Sequence, residues 1–193
     1  MTALENFLLM LEAAGGKMAG KTLIQKRAYF LNEFLKLGLR FKPHYYGPYS
    51  PDLDDAIGRA KVLGFVQESA VDFGPNISTG FEVRRFDYIL TPDGKVVVAA
   101  LKKQYRSEWE QLAETLSKIY KADKNDYVAL SLAAKAFYVL STLNTPLSVP
   151  DIVREARRIG WRVSERDVER AAELLMKLGL VNGESAGVAT VIN

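Results

Sequence analysis

Val62-Leu63-Gly64-Phe65-Val66 and Lys177-Leu178-Gly179-Leu180-Val181 are two versions of one local plan, placed far apart in the chain. In each, a leucine packs the last turn of a helix on a core, and a glycine supplies the positive φ that reverses the chain. An apolar residue then starts a strand in the same core. Working outward from the first, the helix it ends spans Pro51 to Leu63, with Ser50 as its cap and Pro51 at its first position. Phe65 to Asp72 and Phe81 to Leu90 alternate apolar and polar residues around a loop, Phe73 to Gly80, with two glycines and a proline, the pattern of a hairpin.

Upstream, Leu4, Phe7, Leu8 and Leu11 share one helical face within Thr2 to Ala14, where Thr2 and Glu5 form a capping box and Gly15-Gly16 the stop. A second helix is expected from Thr22 to Leu37, with Leu23, Phe30, Leu31, Phe34 and Leu35 as its stripe, and Leu39 to Tyr46 reads as a short strand. After the hairpin, Thr91 to Gly94 reads as a tight turn and Lys95 to Lys121 as one long helix. The polar stretch Ala122 to Asp126 marks a boundary. Beyond it lie helices at Tyr127 to Leu143, Val149 to Ile159 and Glu165 to Leu178, then a tail of small and β-branched residues suited to one or two short strands.

This order, helices closed by a β-ribbon and then repeated, resembles winged helix-turn-helix domains. The expected class is mostly α with small β-hairpin wings (α+β): tandem winged helices at 1–94 and 126–193, joined by a long helix and linker at 95–125. More specific is the run Gly20-Lys21-Thr22-Leu23-Ile24-Gln25-Lys26, then Tyr29-Phe30, then Tyr45-Tyr46-Gly47-Pro48-Tyr49-Ser50 and Leu53. It resembles the winged-helix proteins of the YwgA and Panacea (antitoxin-associated) group, with Ile24 where leucine is usual. Tyr88-Ile89-Leu90-Thr91-Pro92-Asp93-Gly94 resembles the turn that closes the wing in many prokaryotic winged-helix regulators. The resemblance implies a fold and a broad regulatory class.

Composition narrows function. Of 193 residues, 48% are hydrophobic and 25% charged, ordinary for a folded chain. With no cysteine and a single histidine, His44, there is no disulfide, thiolate nucleophile or two-histidine metal site. No catalytic residue, metal or cofactor is expected. Apolar runs are too short to span a bilayer, and Glu5 and Glu12 stand where a secretory signal carries lysine or arginine, so a cytoplasmic chain without a membrane partner is expected. A net charge of +3 permits a nucleic-acid partner without requiring one.

Gly15 to Thr22 fits the phosphate-binding pattern G-x-x-x-x-G-K-[ST], with Lys21 and Thr22 as its ligands. The segment before it has helical periodicity rather than that of a buried parallel strand, which favours a turn in which Thr22 caps a helix. Asp52, Asp54 and Asp55 complement a helix dipole, and they would repel phosphates from the third helix of the first unit. Its hairpin offers Arg84 and Arg85. The second unit is richer in arginine, and a DNA-reading surface is expected at Arg158, Arg162, Ser164, Arg166 and Arg170. Acidic residues interleave with these, so a solvated face laced with ion pairs stands beside the DNA reading. Val97, Leu101, Tyr105, Trp109, Leu112, Leu116 and Ile119 form a seam that either packs internally or joins two copies in a homodimer.

The expected function is that of a non-enzymatic DNA-binding transcriptional regulator with double-stranded DNA as partner. A protein-interaction module of antitoxin-like or adaptor type is the alternative, and nucleotide binding through residues 15–22 a distant one.

Overall fold

The computed structural model describes the backbone of residues 1–75, 82–184 and 188–191, and their side chains except at 73–75, 82–84, 183–184 and 188–191. The chain is mostly helical and carries two small antiparallel sheets of three strands each. It divides into two compact units: Met1–Arg40 with Ser50–Ser117, and Phe41–Tyr49 with Lys118–Asn193. Among the described residues no helix is long and apolar enough to cross a membrane.

The first unit runs α1 (Ala3–Ala13), β1 (Lys17–Ala19), α2 (Lys21–Leu35), α3 (Pro51–Val62), β2 (Val66–Pro75), β3 (Glu82–Leu90) and α4 (Pro92–Gln104), followed by the start of α5 (Arg106–Asp123). The second contains α6 (Tyr127–Leu143), β4 (Leu147–Ser148), α7 (Val149–Arg158), α8 (Glu165–Leu178), β5 (Val181–Glu184) and β6 (Val188–Val191). Both units share one topology: helix, strand, two helices, two strands, with the last strand central in sheets ordered β1-β3-β2 and β4-β6-β5.

Local chemistry sets these elements. The Thr2 hydroxyl accepts from the Glu5 N–H at 3.2 Å while the Glu5 carboxylate accepts from the Thr2 N–H at 2.6 Å, closing the capping box. At the two repeated helix ends, Gly64 and Gly179 each have φ of 72°, which lets the next N–H reach back. Phe65 donates to the Ala60 carbonyl at 3.0 Å, and Leu180 to that of Leu175 at 3.0 Å. Phe7, Leu11, Ile24, Phe30, Leu53 and Ile57 then bury against Met18 and Tyr88 of the sheet, with Phe7 edge-on to Tyr88 at 6.4 Å. In the second unit Leu130, Phe137, Leu140, Ile152, Leu175 and Leu178 form the corresponding core, α6 packing on α7 and α8.

Four sequence expectations are corrected. Residues 39–46 form no strand, only a bridge between Lys42 and Tyr49, and the third strand of the first sheet is Lys17–Ala19. Thr22 does not cap α2; Gly20 holds that position with φ of 74°. Thr91 to Gly94 is the first turn of α4, where the Thr91 hydroxyl accepts from Gly94 N–H at 3.0 Å and donates to the Gly64 carbonyl at 2.6 Å. The long helix over 95–121 is two helices broken at Tyr105, whose φ of −120° and ψ of 50° leave the helical region. Neither proline nor glycine marks that break. Beside it Lys102 is held at 2.9 Å by Glu12 and lies 4.5 Å from the centre of the Trp109 ring, contacts that only the folded unit supplies. Leu112, Leu116 and Ile119 of the seam are fully buried within the single chain.

Candidate nucleic-acid interface

The α7–α8 connection is built from its ends inward. Ser148 caps α7, and Gly160, with φ of 85°, ends it, so that the Trp161 N–H reaches back to the Ala156 carbonyl at 2.9 Å. Trp161, Arg162 and Val163 then lie outside any helix or strand. Trp161 is 2% exposed and Val163 8%, while Arg162 between them is exposed. Trp161 packs edge-on against Tyr138 at 5.5 Å and donates its indole N–H to the His44 carbonyl at 2.6 Å.

Ser164 opens α8. Its hydroxyl accepts from the Asp167 N–H at 3.2 Å and donates to the Asp167 carboxylate at 2.8 Å, which also accepts the Ser164 N–H at 2.9 Å. These bonds, backbone first, hold the Asp167 carboxyl below its ordinary range, helped by Arg170 and Lys135. Lys135, half-buried on α6, has its own pKa pushed down by burial. The Ser164 hydroxyl is thus committed to the cap.

The arginines of this unit sort into two groups. Arg154 pairs with Asp151 at 2.6 Å, and Arg158 with Glu155 at 2.8 Å. Arg170 pairs with Asp126, the N-cap of α6, whose carboxyl is held low by the Ala129 N–H and by that guanidinium. Arg157, Arg162 and Arg166 are exposed and have no ion-pair partner among the described residues. Of the five positions expected to read DNA here, Arg162 and Arg166 therefore offer unneutralised charge, whereas Arg158 and Arg170 are compensated.

The first unit distributes its charge differently. Asp52 holds Arg40 in a two-pronged pair, at 3.1 Å to Nε and 2.7 Å to Nη2, which lowers the Asp52 carboxyl. Asp54 pairs with Lys21, and Asp55 lies 4.0 Å from Arg59. The acidic cluster is accordingly divided among three cations. Arg85 pairs with buried Asp87 at 2.8 Å, and Lys17 approaches the same carboxylate at 3.1 Å. Arg84 lies in β3, but its side chain is outside the described residues. Gly15 to Thr22 covers a turn, the edge strand β1 and the first residues of α2, with α1 in front of it and Lys21 engaged by Asp54.

Gln25 is a residue whose role spacing did not reveal. Its side chain accepts the Ser50 N–H at 2.8 Å and donates to the Ser50 carbonyl at 3.1 Å, clamping the start of α3 onto α2. The motif that carries both Gln25 and Ser50 was the available signal. No group of histidine, aspartate and glutamate suited to a metal occurs among the described residues. A cavity of about 160 Å³ beside Asn6, Lys36 and Glu108 is small for a nucleotide. No protein-family model matches the chain, and no curated protein matches it in sequence.

Proposed function

We propose that the chain is a non-enzymatic DNA-binding regulator made of tandem winged helices, in which α8 of the second unit lies in the major groove. The carrying observation is the trio Arg157, Arg162 and Arg166, exposed and unpaired among the described residues around the α7–α8 turn. In a helix-turn-helix the start of the second helix is the part that meets base edges, and a fixed turn in front of it meets phosphates. The Trp161 and Ser164–Asp167 hydrogen bonds brace that turn, so the backbone that carries Arg162 and Arg166 is ordered in advance. The helix–strand–helix–helix–strand–strand order with a central last strand supports the same architecture for both units.

The first unit suits a protein partner better. Among the described side chains, the cations of its third helix and its sheet, Arg59, Lys61, Lys17 and Arg85, face carboxylates, which leaves little of their charge for a phosphate backbone. Anisotropy of a labelled duplex, titrated with the full chain over a range of salt, tests the assignment. Binding is expected to weaken steeply with salt, and Arg162→Ala with Arg166→Ala to lower the salt slope by about 2. No binding at low salt, or a slope unchanged in the double variant, would refute it.

A further inference from the structure

Residues 41–49 belong to the second compact unit, and they carry its most exposed aromatic surface. Lys42 and Tyr49 exchange backbone hydrogen bonds at 3.0 and 2.9 Å, closing the base of the segment. At its tip the Gly47 N–H donates to the His44 carbonyl at 2.9 Å, with Gly47 at φ of 106°, so His44 to Gly47 is a β-turn. The same His44 carbonyl accepts the Trp161 indole N–H, which fastens the turn to the residue preceding Arg162. The His44 ring stacks on Tyr49 at 5.0 Å.

The central positions of that turn hold Tyr45 and Tyr46, 77% and 58% exposed, with ring centres 4.9 Å apart and edge-to-face. Such positions are ordinarily filled by glycine, proline, asparagine, aspartate or serine, whose backbone preferences or short polar groups make turns. Two tyrosines contribute nothing of that kind, and they place aromatic surface in water. Lys42, in the same segment, and Arg162, next in sequence to Trp161, are exposed cations, and Arg166 is another on the first turn of α8.

We infer that the His44–Gly47 turn is a stacking platform for unpaired bases, so that the nucleic acid bound by this unit contains single-stranded or locally opened sequence. This rests on the DNA reading above and specifies its substrate. The faces of bases in an intact duplex are covered by their neighbours, and an aromatic ring meets a base face only where a strand is open. Aromatic rings at the edge of a basic surface are the arrangement by which proteins hold single strands: rings take successive bases while cations follow the phosphates. The turn is braced at its base by Lys42–Tyr49 and at its tip by Trp161, so the rings are held in place before a strand arrives.

The experiment compares three labelled probes by anisotropy with the full chain: a thymidine single strand, a mixed-sequence duplex, and the same duplex with an internal bubble of unpaired thymines. The bubble, which keeps duplex on either side, is expected to bind about a hundredfold more tightly than the duplex, and the single strand, which offers bases but no groove, less tightly than the bubble. Tyr45→Ala with Tyr46→Ala should abolish that preference, costing about tenfold per ring, while duplex affinity and salt slope stay unchanged. Tyr45→Phe with Tyr46→Phe should retain it. The inference is overturned if the bubble gives no preference, or if the double alanine variant weakens all three probes equally, as a generic or protein-docking surface would. Duplex binding that depends on Arg162 and Arg166 without a bubble preference removes this inference alone. A bubble preference in which Arg162→Ala with Arg166→Ala leaves the affinity and salt slope of every probe unchanged removes the arginine assignment alone, and no binding to any probe removes both.

Discussion

Replacing Gly94 by alanine ought to reverse the usual sign of a glycine-to-alanine change in a helix. Gly94 is the third residue of α4, and a Cβ there would sit 2.1 Å from the Phe65 carbonyl oxygen and 3.0 Å from its carbon. Separations under 3.0 Å do not occur for real Cβ atoms, so α4 and the chain entering β2 must part by nearly an ångström. That carbonyl accepts the Thr91 N–H at 3.0 Å, and the Thr91 hydroxyl donates to the Gly64 carbonyl at 2.6 Å, so parting strains the cap of α4 as well. Overpacking costs about 1–3 kcal/mol and a lost hydrogen bond about 1, against a gain of up to about 1 from helix propensity. The net expectation is about 2 kcal/mol of destabilisation. Gly58, on α3 of the same unit, has no heavy atom within 4 Å of the corresponding Cβ and no positive φ, so Gly58→Ala should stabilise by about 0.5–1 kcal/mol. Urea unfolding followed by circular dichroism measures both. If Gly94→Ala proves as stable as the unmodified chain, the close approach to Phe65 is not what requires glycine there.

Gln25→Ala should cost about 2–3 kcal/mol in the same assay. The Ser50 carbonyl keeps the Asp54 N–H at 3.1 Å, but the buried Ser50 N–H loses its only acceptor described here, the Gln25 oxygen; a loss below about 0.5 kcal/mol would rule out the clamp. Asp126 and Asp167 both have carboxyl pKa values lowered by folding, so the unfolded chain takes up their protons first as pH falls. Their contribution is fully present above the ordinary aspartate value of about 3.9 and is lost as pH drops from there through the folded values. The urea midpoint of the second unit, followed by Trp161 fluorescence in a Trp109→Phe background, should therefore hold steady from neutrality to about pH 4 and fall below it, with a shallower fall in Asp126→Asn.

Sequence reading succeeded where a local rule has a single physical outcome. Ser50, Ser148 and Ser164, each with proline or an acidic residue close behind, cap helices as their chemistry requires, and Gly64 and Gly179 end helices because only a residue free at positive φ reverses the chain there. It failed where partners distant in sequence decide. Lys17–Ala19 is too short and too polar at its edges to declare itself, and it is a strand because β3 offers Asp87, Tyr88 and Ile89 in register. Phe41 to Tyr46 has the aromatic content of a strand but no neighbouring edge to join, so its backbone bonds close on themselves between Lys42 and Tyr49. Thr91-Pro92-Asp93-Gly94 has the composition of a turn and of a helix start alike; the capping bond from Gly94 to Thr91 resolves it.

The arginines show why a string of alternating charges leaves ion pairing undecided in sequence and how folding settles which of them pair. Arg154 and Arg158 lie on α7 with Asp151 and Glu155 one turn before them, and helical spacing alone brings each pair together. Arg170 finds Asp126, 44 residues earlier, through the packing of α6 on α8. Arg162 has neither route. It stands outside any helix between two buried residues, so it has no companion a turn away, and it is exposed to solvent. Arg166 has Arg170 at its fourth position, a like charge already committed to Asp126. The charge left over thus falls at the α7–α8 turn and on the helix ends that flank it. The same stretch is fastened to the tyrosine-bearing turn by the hydrogen bond from the Trp161 indole to the His44 carbonyl.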